Sequence, residues 1–167
     1  MEAKNYRFET LQIHAGLQPD EATGARGVAI YPTAAYRFKS CDRAARLFDL
    51  SEAGNIYTRL QNPTSDAVAA RLCALEGGTA AMLLSSGQAA SFFSIFNIAS
   101  AGDHVVASSE IYGGTYNLFA VTMKRMGIDF TFVDPDCSLT ELDAAFRPNT
   151  KALFGETIAN PAIAVLD

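Results

Sequence analysis

The chain has 167 residues, 49% of them hydrophobic and 19% charged, with a formal net charge of −5. That length suffices for a sizeable core and the composition excludes disorder, while the acidic balance argues against a nucleic-acid partner, which asks for a basic face. Met1–Arg7 lacks the apolar core of a signal peptide and no stretch approaches membrane-spanning length, so the expectation is a cytoplasmic protein without membrane contact.

Residues 1 to about 40 read as irregular, because glycine, proline and polar residues recur (Gly16, Pro19, Gly24, Gly27, Pro32) without a sustained period. A long segment of that kind suits an arm lying on another surface. Ser40–Leu50 suits a short helix. From residue 62 the pattern is regular. Asn62-Pro63 is an N-cap and first-turn pair opening a helix through Val68, Leu72 and Leu75, and Gly77-Gly78 ends it. The pattern then predicts a strand over 80–84, an apolar helix over 88–99, a strand over 104–108 and a helix over 114–126 closed by Gly127. A strand over 128–133 follows, then the capping box Ser138-Leu139-Thr140-Glu141 with a helix through Phe146, and a strand over 151–155. Strands alternating with helices on short connections imply an α/β fold, a mostly parallel sheet with helices on both faces. After Asn160-Pro161 an apolar segment begins that reads as the start of a further helix, so the chain is expected to be part of a longer one.

Four stretches invite chemistry. Ser85-Ser86-Gly87-Gln88-Ala89-Ala90 is a small-residue turn opening a helix. It reads either as an anion site built on backbone N–H groups or as tight packing, and it is neither a Walker A loop nor a GxGxxG fingerprint. Tyr57 and Arg59 lie two apart in a loop expected to be extended, where both could project the same way towards a phosphate; the other reading is a solvated surface loop. Tyr112 in Tyr112-Gly113-Gly114-Thr115 follows a strand, at the edge where parallel sheets place ligands, and suits either a planar ligand or the rim of the core. Asn160 follows the last strand, as a ligand donor or as an Asn-Pro turn residue. The cysteines (Cys41, Cys73, Cys137) are scattered and odd in number, which fits reduced thiols, and His14 and His104 form no metal-binding cluster.

Together these motifs carry a resemblance. Phe8-Glu9-Thr10 with His14-Ala15-Gly16, Asn55-Ile56-Tyr57-Thr58-Arg59 with Asn62-Pro63-Thr64, Leu75-Glu76-Gly77-Gly78, Ser85–Ala90, Tyr112–Thr115 and Glu156 with Asn160-Pro161 fall in the order of one family. The chain resembles the pyridoxal-phosphate enzymes of cysteine and methionine metabolism, over essentially its whole length. Gln88 and the stretches 56–63 and 156–161 look most like the O-acetylhomoserine sulfhydrylase branch. The resemblance implies part of the large domain of a fold-type I (aspartate aminotransferase-like) enzyme. Residues 1–60 would then be an N-terminal arm and subunit-contacting loop, and 61–167 a partial cofactor-binding α/β domain.

It also implies roles. Ser86, Gly87 and Gln88 would hold the phosphate of pyridoxal 5′-phosphate, and Tyr112 would stack on the pyridine ring and assist the leaving group. Asn160 would bond the ring hydroxyl oxygen, while Tyr57 and Arg59 would reach the phosphate of a neighbouring subunit in a homodimer or tetramer. The implied reaction of the full-length enzyme is γ-replacement of acetate on O-acetylhomoserine by sulfide or a thiol, giving homocysteine or methionine. The Schiff-base lysine and the aspartate facing the pyridinium nitrogen are expected beyond Asp167, so the isolated chain is expected to be inactive unless a complementary C-terminal fragment joins it. The alternatives are a methionine γ-lyase or cystathionine γ-lyase of the same family, and a non-catalytic ligand-binding or assembly module.

Overall fold

A computed structural model describes residues 6–166. The chain divides into two compact units, Met1–Leu83 and Leu84–Asp167.

Among the described residues the first unit contains three helices, α1 (Phe8–His14), α2 (Cys41–Phe48) and α3 (Pro63–Glu76). α3 starts and stops where its sequence directs. The Asn62 side chain accepts from the Thr64 N–H, Pro63 occupies the first turn, and Gly77 closes the helix in the left-handed region at φ +64°. α1 corrects the expectation of an irregular arm. Seven residues are too few to hold a helix by propensity. The Arg71 guanidinium, reaching from α3, donates to the carbonyls of Ala15 (2.9 Å) and Ile13 (3.2 Å), satisfying acceptors that the end of α1 leaves open. Gly16 permits this docking, because it turns at φ +71° and a Cβ there would collide with the Ala67 carbonyl.

The second unit is built on three parallel strands, β1 (His104–Ser108), β2 (Asp129–Val133) and β3 (Thr150–Phe154), in the order β2-β1-β3. All five residues of the central strand are buried. One face of the sheet carries Val105, Ala107, Phe130, Phe132 and Phe154 against the helix α4 (Gly87–Phe96) and the segment that follows β1. Phe119 is fully buried there, stacked on Phe130 at 4.6 Å and edge-on to Phe154 at 4.9 Å. The predicted 114–126 helix is observed as α5 (Gly113–Asn117) continuing into a π-helical stretch, Leu118–Met123, which sets Phe119 and Met123 into this core. The last helix, α6 (Leu139–Ala145), opens on the expected capping box, with Ser138 and Glu141 bonded reciprocally.

Two expectations fail. Residues 80–84 form no strand: their backbone enters no ladder with any of the described residues, and apolar composition alone does not supply the neighbour a strand must pair with. Met82, Leu83 and Leu84 are left exposed. The segment after Asn160-Pro161 is not a helix either. It folds back, with Ile158 bridging Val165 and the Leu166 N–H donating to the Thr157 carbonyl at 3.0 Å, so its backbone is satisfied by the strand-end loop.

Candidate functional site

In the second unit, Tyr112 and Asn160 follow the carboxyl ends of β1 and β3, and Ser86, Gly87 and Gln88 open α4. Ser86 stands at the N-cap of α4 in extended conformation, and its Oγ accepts from the Ala89 N–H at 3.0 Å. The cap leaves the amides of Gly87 and Gln88 without a protein acceptor among the described residues. The helix dipole points its positive end at them, and the first turn carries no carboxylate to oppose an anion. A Cβ built on Gly87 would meet nothing within 4 Å, so the space above these amides is open. Two free donors, a favourable dipole and an open approach fit a phosphate group.

Gln88 is tied to the next element. Its Oε1 accepts from the hydroxyl of Thr115 at 3.1 Å, and Thr115 is buried in α5. α5 begins beside Tyr112, which caps it by backbone alone. The Tyr112 N–H donates instead to Glu156 Oε1, at 3.0 Å, across from the end of β3. Its ring is half exposed and lies over Gly114, where a Cβ would run into it. Asn160 is exposed, four residues beyond Glu156 and next to a cis peptide bond with Pro161. Of the residues read from sequence, Ser86, Gly87, Gln88, Tyr112 and Asn160 thus belong to one unit, with Thr115 and β1–β3 linking the first four.

Tyr57 and Arg59 belong to the other unit. Their loop is a turn rather than the expected extended stretch, because the N–H groups of Leu60 and Gln61 both donate to the Tyr57 carbonyl. The turn brings the Arg59 guanidinium carbon to 5.5 Å from the centre of the Tyr57 ring, so the pair still shares one side. Asn62 anchors the loop: it is buried and its amide donates to the Tyr31 carbonyl and the Thr58 hydroxyl, both at 3.1 Å. The Thr58 hydroxyl donates in turn to the Thr33 carbonyl. A groove of about 500 Å³ opens between residues 31–34 and 57–59. Arg59 has no carboxylate partner among the described residues.

Glu156 and Thr115 both stand within motifs quoted from the sequence, where neither has a role. The available signal was position: both follow a parallel strand on the side where ligands sit.

Comparisons with known proteins bear on the family. The family model described as Cys/Met metabolism PLP-dependent enzyme matches residues 9–167. The homocysteine synthase of Schizosaccharomyces pombe is 48% identical over 167 residues, covering all of this chain and 39% of the relative. O-acetyl-L-homoserine sulfhydrylase 1 of Thermus thermophilus is 48% identical over 161 residues, covering 96% of this chain and 38% of the relative. A solved structure described as an O-acetylhomoserine (thiol)-lyase from Campylobacter jejuni, which carries a pyridoxyl-lysine monophosphate, superposes with a TM-score of 0.91 at 44% identity. The superposition covers 98% of this chain and 40% of that one. This chain therefore spans about two fifths of the length of these relatives. By the extent of the match and the identity along it, the chain belongs to the pyridoxal-phosphate-dependent enzymes of cysteine and methionine metabolism.

Proposed function

We propose that this chain provides the phosphate-holding and ring-facing part of a γ-replacement enzyme that exchanges the acetate of O-acetylhomoserine for sulfide or a thiol. The observation that carries the reading is the pair of unpartnered amides at Gly87 and Gln88, joined through Thr115 to the turn that presents Tyr112. The level of identity to homocysteine synthase and O-acetylhomoserine sulfhydrylase supports this branch of the family.

Pyridoxal 5′-phosphate, when bound, supplies the electron sink that stabilises negative charge at the substrate carbon. The chain's own residues bind and orient. The Gly87 and Gln88 N–H groups would donate to phosphate oxygens, and Ser86 keeps them available by bonding the next free amide itself. The Tyr112 ring would face the pyridine ring, and its phenolic hydroxyl would serve as a hydrogen-bond donor to the leaving group. The Asn160 side-chain amide would donate to the ring hydroxyl oxygen. Tyr57 and Arg59 add a hydroxyl and a planar cation to the phosphate of a neighbouring subunit in a homodimer or tetramer, within the cytoplasm.

The test uses the full-length protein. Loaded with pyridoxal 5′-phosphate, it is expected to show an absorbance band in the region of about 420 nm that borohydride abolishes. Supplied with O-acetylhomoserine and sulfide, it is expected to release homocysteine. No band overturns the cofactor reading, and release of a 2-oxo acid and ammonia without homocysteine overturns γ-replacement.

A further inference from the structure

Tyr112 faces a geometric problem that its own sequence does not solve. It is the residue before a helix of only five residues, and its side chain makes no capping bond. Its N–H precedes the helical hydrogen-bond pattern and needs an acceptor from elsewhere. Its ring is 48% exposed, so packing alone does not hold it. Two residues supply what is missing. Glu156, half-buried two positions past β3, places Oε1 at 3.0 Å from the Tyr112 N–H. The adjacent strands β1 and β3 are paired as far as Ala107 and Phe154, so the two partners hang from the same rigid edge. Gly114 supplies the second point: a Cβ there would strike the ring at Cε1 and crowd Cδ1 and Cζ at 3.1 Å, whereas a Cβ on neighbouring Gly113 would meet nothing within 4 Å.

We infer that Glu156 is a positioning residue for Tyr112, fixing its backbone while Gly114 provides the seat for its ring. A charged acceptor suits this task, because a bond to a carboxylate is stronger than one to a neutral carbonyl and holds a loop residue that has no helical partner. The inference rests on the proposed function only for what the ring does once placed; the placement belongs to the protein alone.

The experiment measures amide exchange of Tyr112 in the cofactor-free full-length protein, and then the circular dichroism of the cofactor band after loading. Glu156→Leu removes the acceptor and is expected to speed exchange at Tyr112 about tenfold, the equivalent of one such hydrogen bond. Glu156→Gln keeps an acceptor oxygen and is expected to restore slow exchange. Gly114→Ala leaves the hydrogen bond intact and displaces the ring, so the dichroism per unit absorbance is expected to fall while exchange at Tyr112 stays slow. Exchange in Glu156→Leu equal to that of the parent overturns the inference, whatever the cofactor does. Failure of the parent to take up pyridoxal phosphate overturns the proposed function instead, and leaves the exchange result to decide the placement.

Discussion

Ser86 shows how one side chain can prepare a site it does not complete. Its Oγ accepts from Ala89, the third amide of α4, and this both starts the helix and leaves the two preceding amides for a ligand. Ser86→Ala is expected to cost about 1 kcal/mol of stability and Ser86→Gly only a few tenths, because glycine tolerates solvation of the freed amide. Urea unfolding of the full-length protein without cofactor measures both. Equal losses would mean that the hydroxyl serves packing rather than capping. The cap was legible as a small-residue turn before an apolar run, because the rule acts within four residues. The neighbouring links were not: Thr115 lies 27 positions from Gln88 and Glu156 lies 44 from Tyr112, so only the folded sheet brings them together.

At the scale of elements, the sequence was most readable where a strand or helix is specified by its own ends. β1, the capping box of α6 and both ends of α3 stand within a residue or so of expectation, each marked by glycine, proline or a capping side chain. α1 was missed because its stability comes from Arg71, more than fifty residues away. The 80–84 strand is absent because apolar composition expresses a fit to cross-strand and same-face neighbours, and none of the described residues pairs with this segment. Among the described residues His104 forms no metal-binding cluster and has a structural setting instead. It is fully buried on β1, with Nδ1 at 2.8 Å from the Thr150 hydroxyl on β3 and Nε2 at 2.8 Å from the Thr131 hydroxyl on β2. Thr150 Oγ1 already accepts from the Arg147 N–H, and Thr131 Oγ1 from the Arg147 guanidinium. A neutral ring lets one hydroxyl donate to it while the other accepts, whereas a charged ring would have to donate to both. Burial, and then the charge of Arg147, lower the His104 pKa from its ordinary 6.5, with Asp129 opposing in part. Above about pH 6.5 the ring is neutral folded or unfolded, and stability is undiminished. As pH falls below that value, the unfolded chain takes up a proton that the folded site resists. Stability therefore declines towards the lower, folded pKa, by up to about 1.4 kcal/mol per pH unit. Urea midpoints measured on either side of this window are expected to converge in His104→Gln, which cannot titrate. An unchanged pH slope in that variant would assign the acid sensitivity to other groups.

At the scale of the whole molecule, much apolar surface lies uncovered. Ile30 is 81% exposed and Leu60 66%, both on segments flanking the Tyr57–Arg59 loop, and Met82 is 80% exposed. Large apolar side chains exposed beside the loop suit a surface that another protein covers. This supports the proposal that the loop works against a neighbouring subunit, and it makes Arg59 the residue on which that proposal can be tried. Arg59 and Lys124 are both exposed cations with no carboxylate partner among the described residues, so replacing either with alanine removes the same charge. Their local settings differ. Arg59 is held beside the Tyr57 ring in a loop pinned by Asn62 and Thr58, and so keeps its fork of donors organised for a phosphate dianion. Lys124 follows the π-helical stretch and has no such setting. If the loop serves a partner's cofactor, Arg59→Ala in the full-length oligomer is expected to weaken retention of pyridoxal phosphate by roughly ten- to a hundredfold, the value of a charged hydrogen-bonded contact. Lys124→Ala is expected to leave retention within about twofold, since a remote surface charge is screened by salt. Dialysis followed by the residual absorbance of the cofactor measures both. Equal losses would reduce the role of Arg59 to general charge, and would detach the Tyr57–Arg59 loop from the cofactor site.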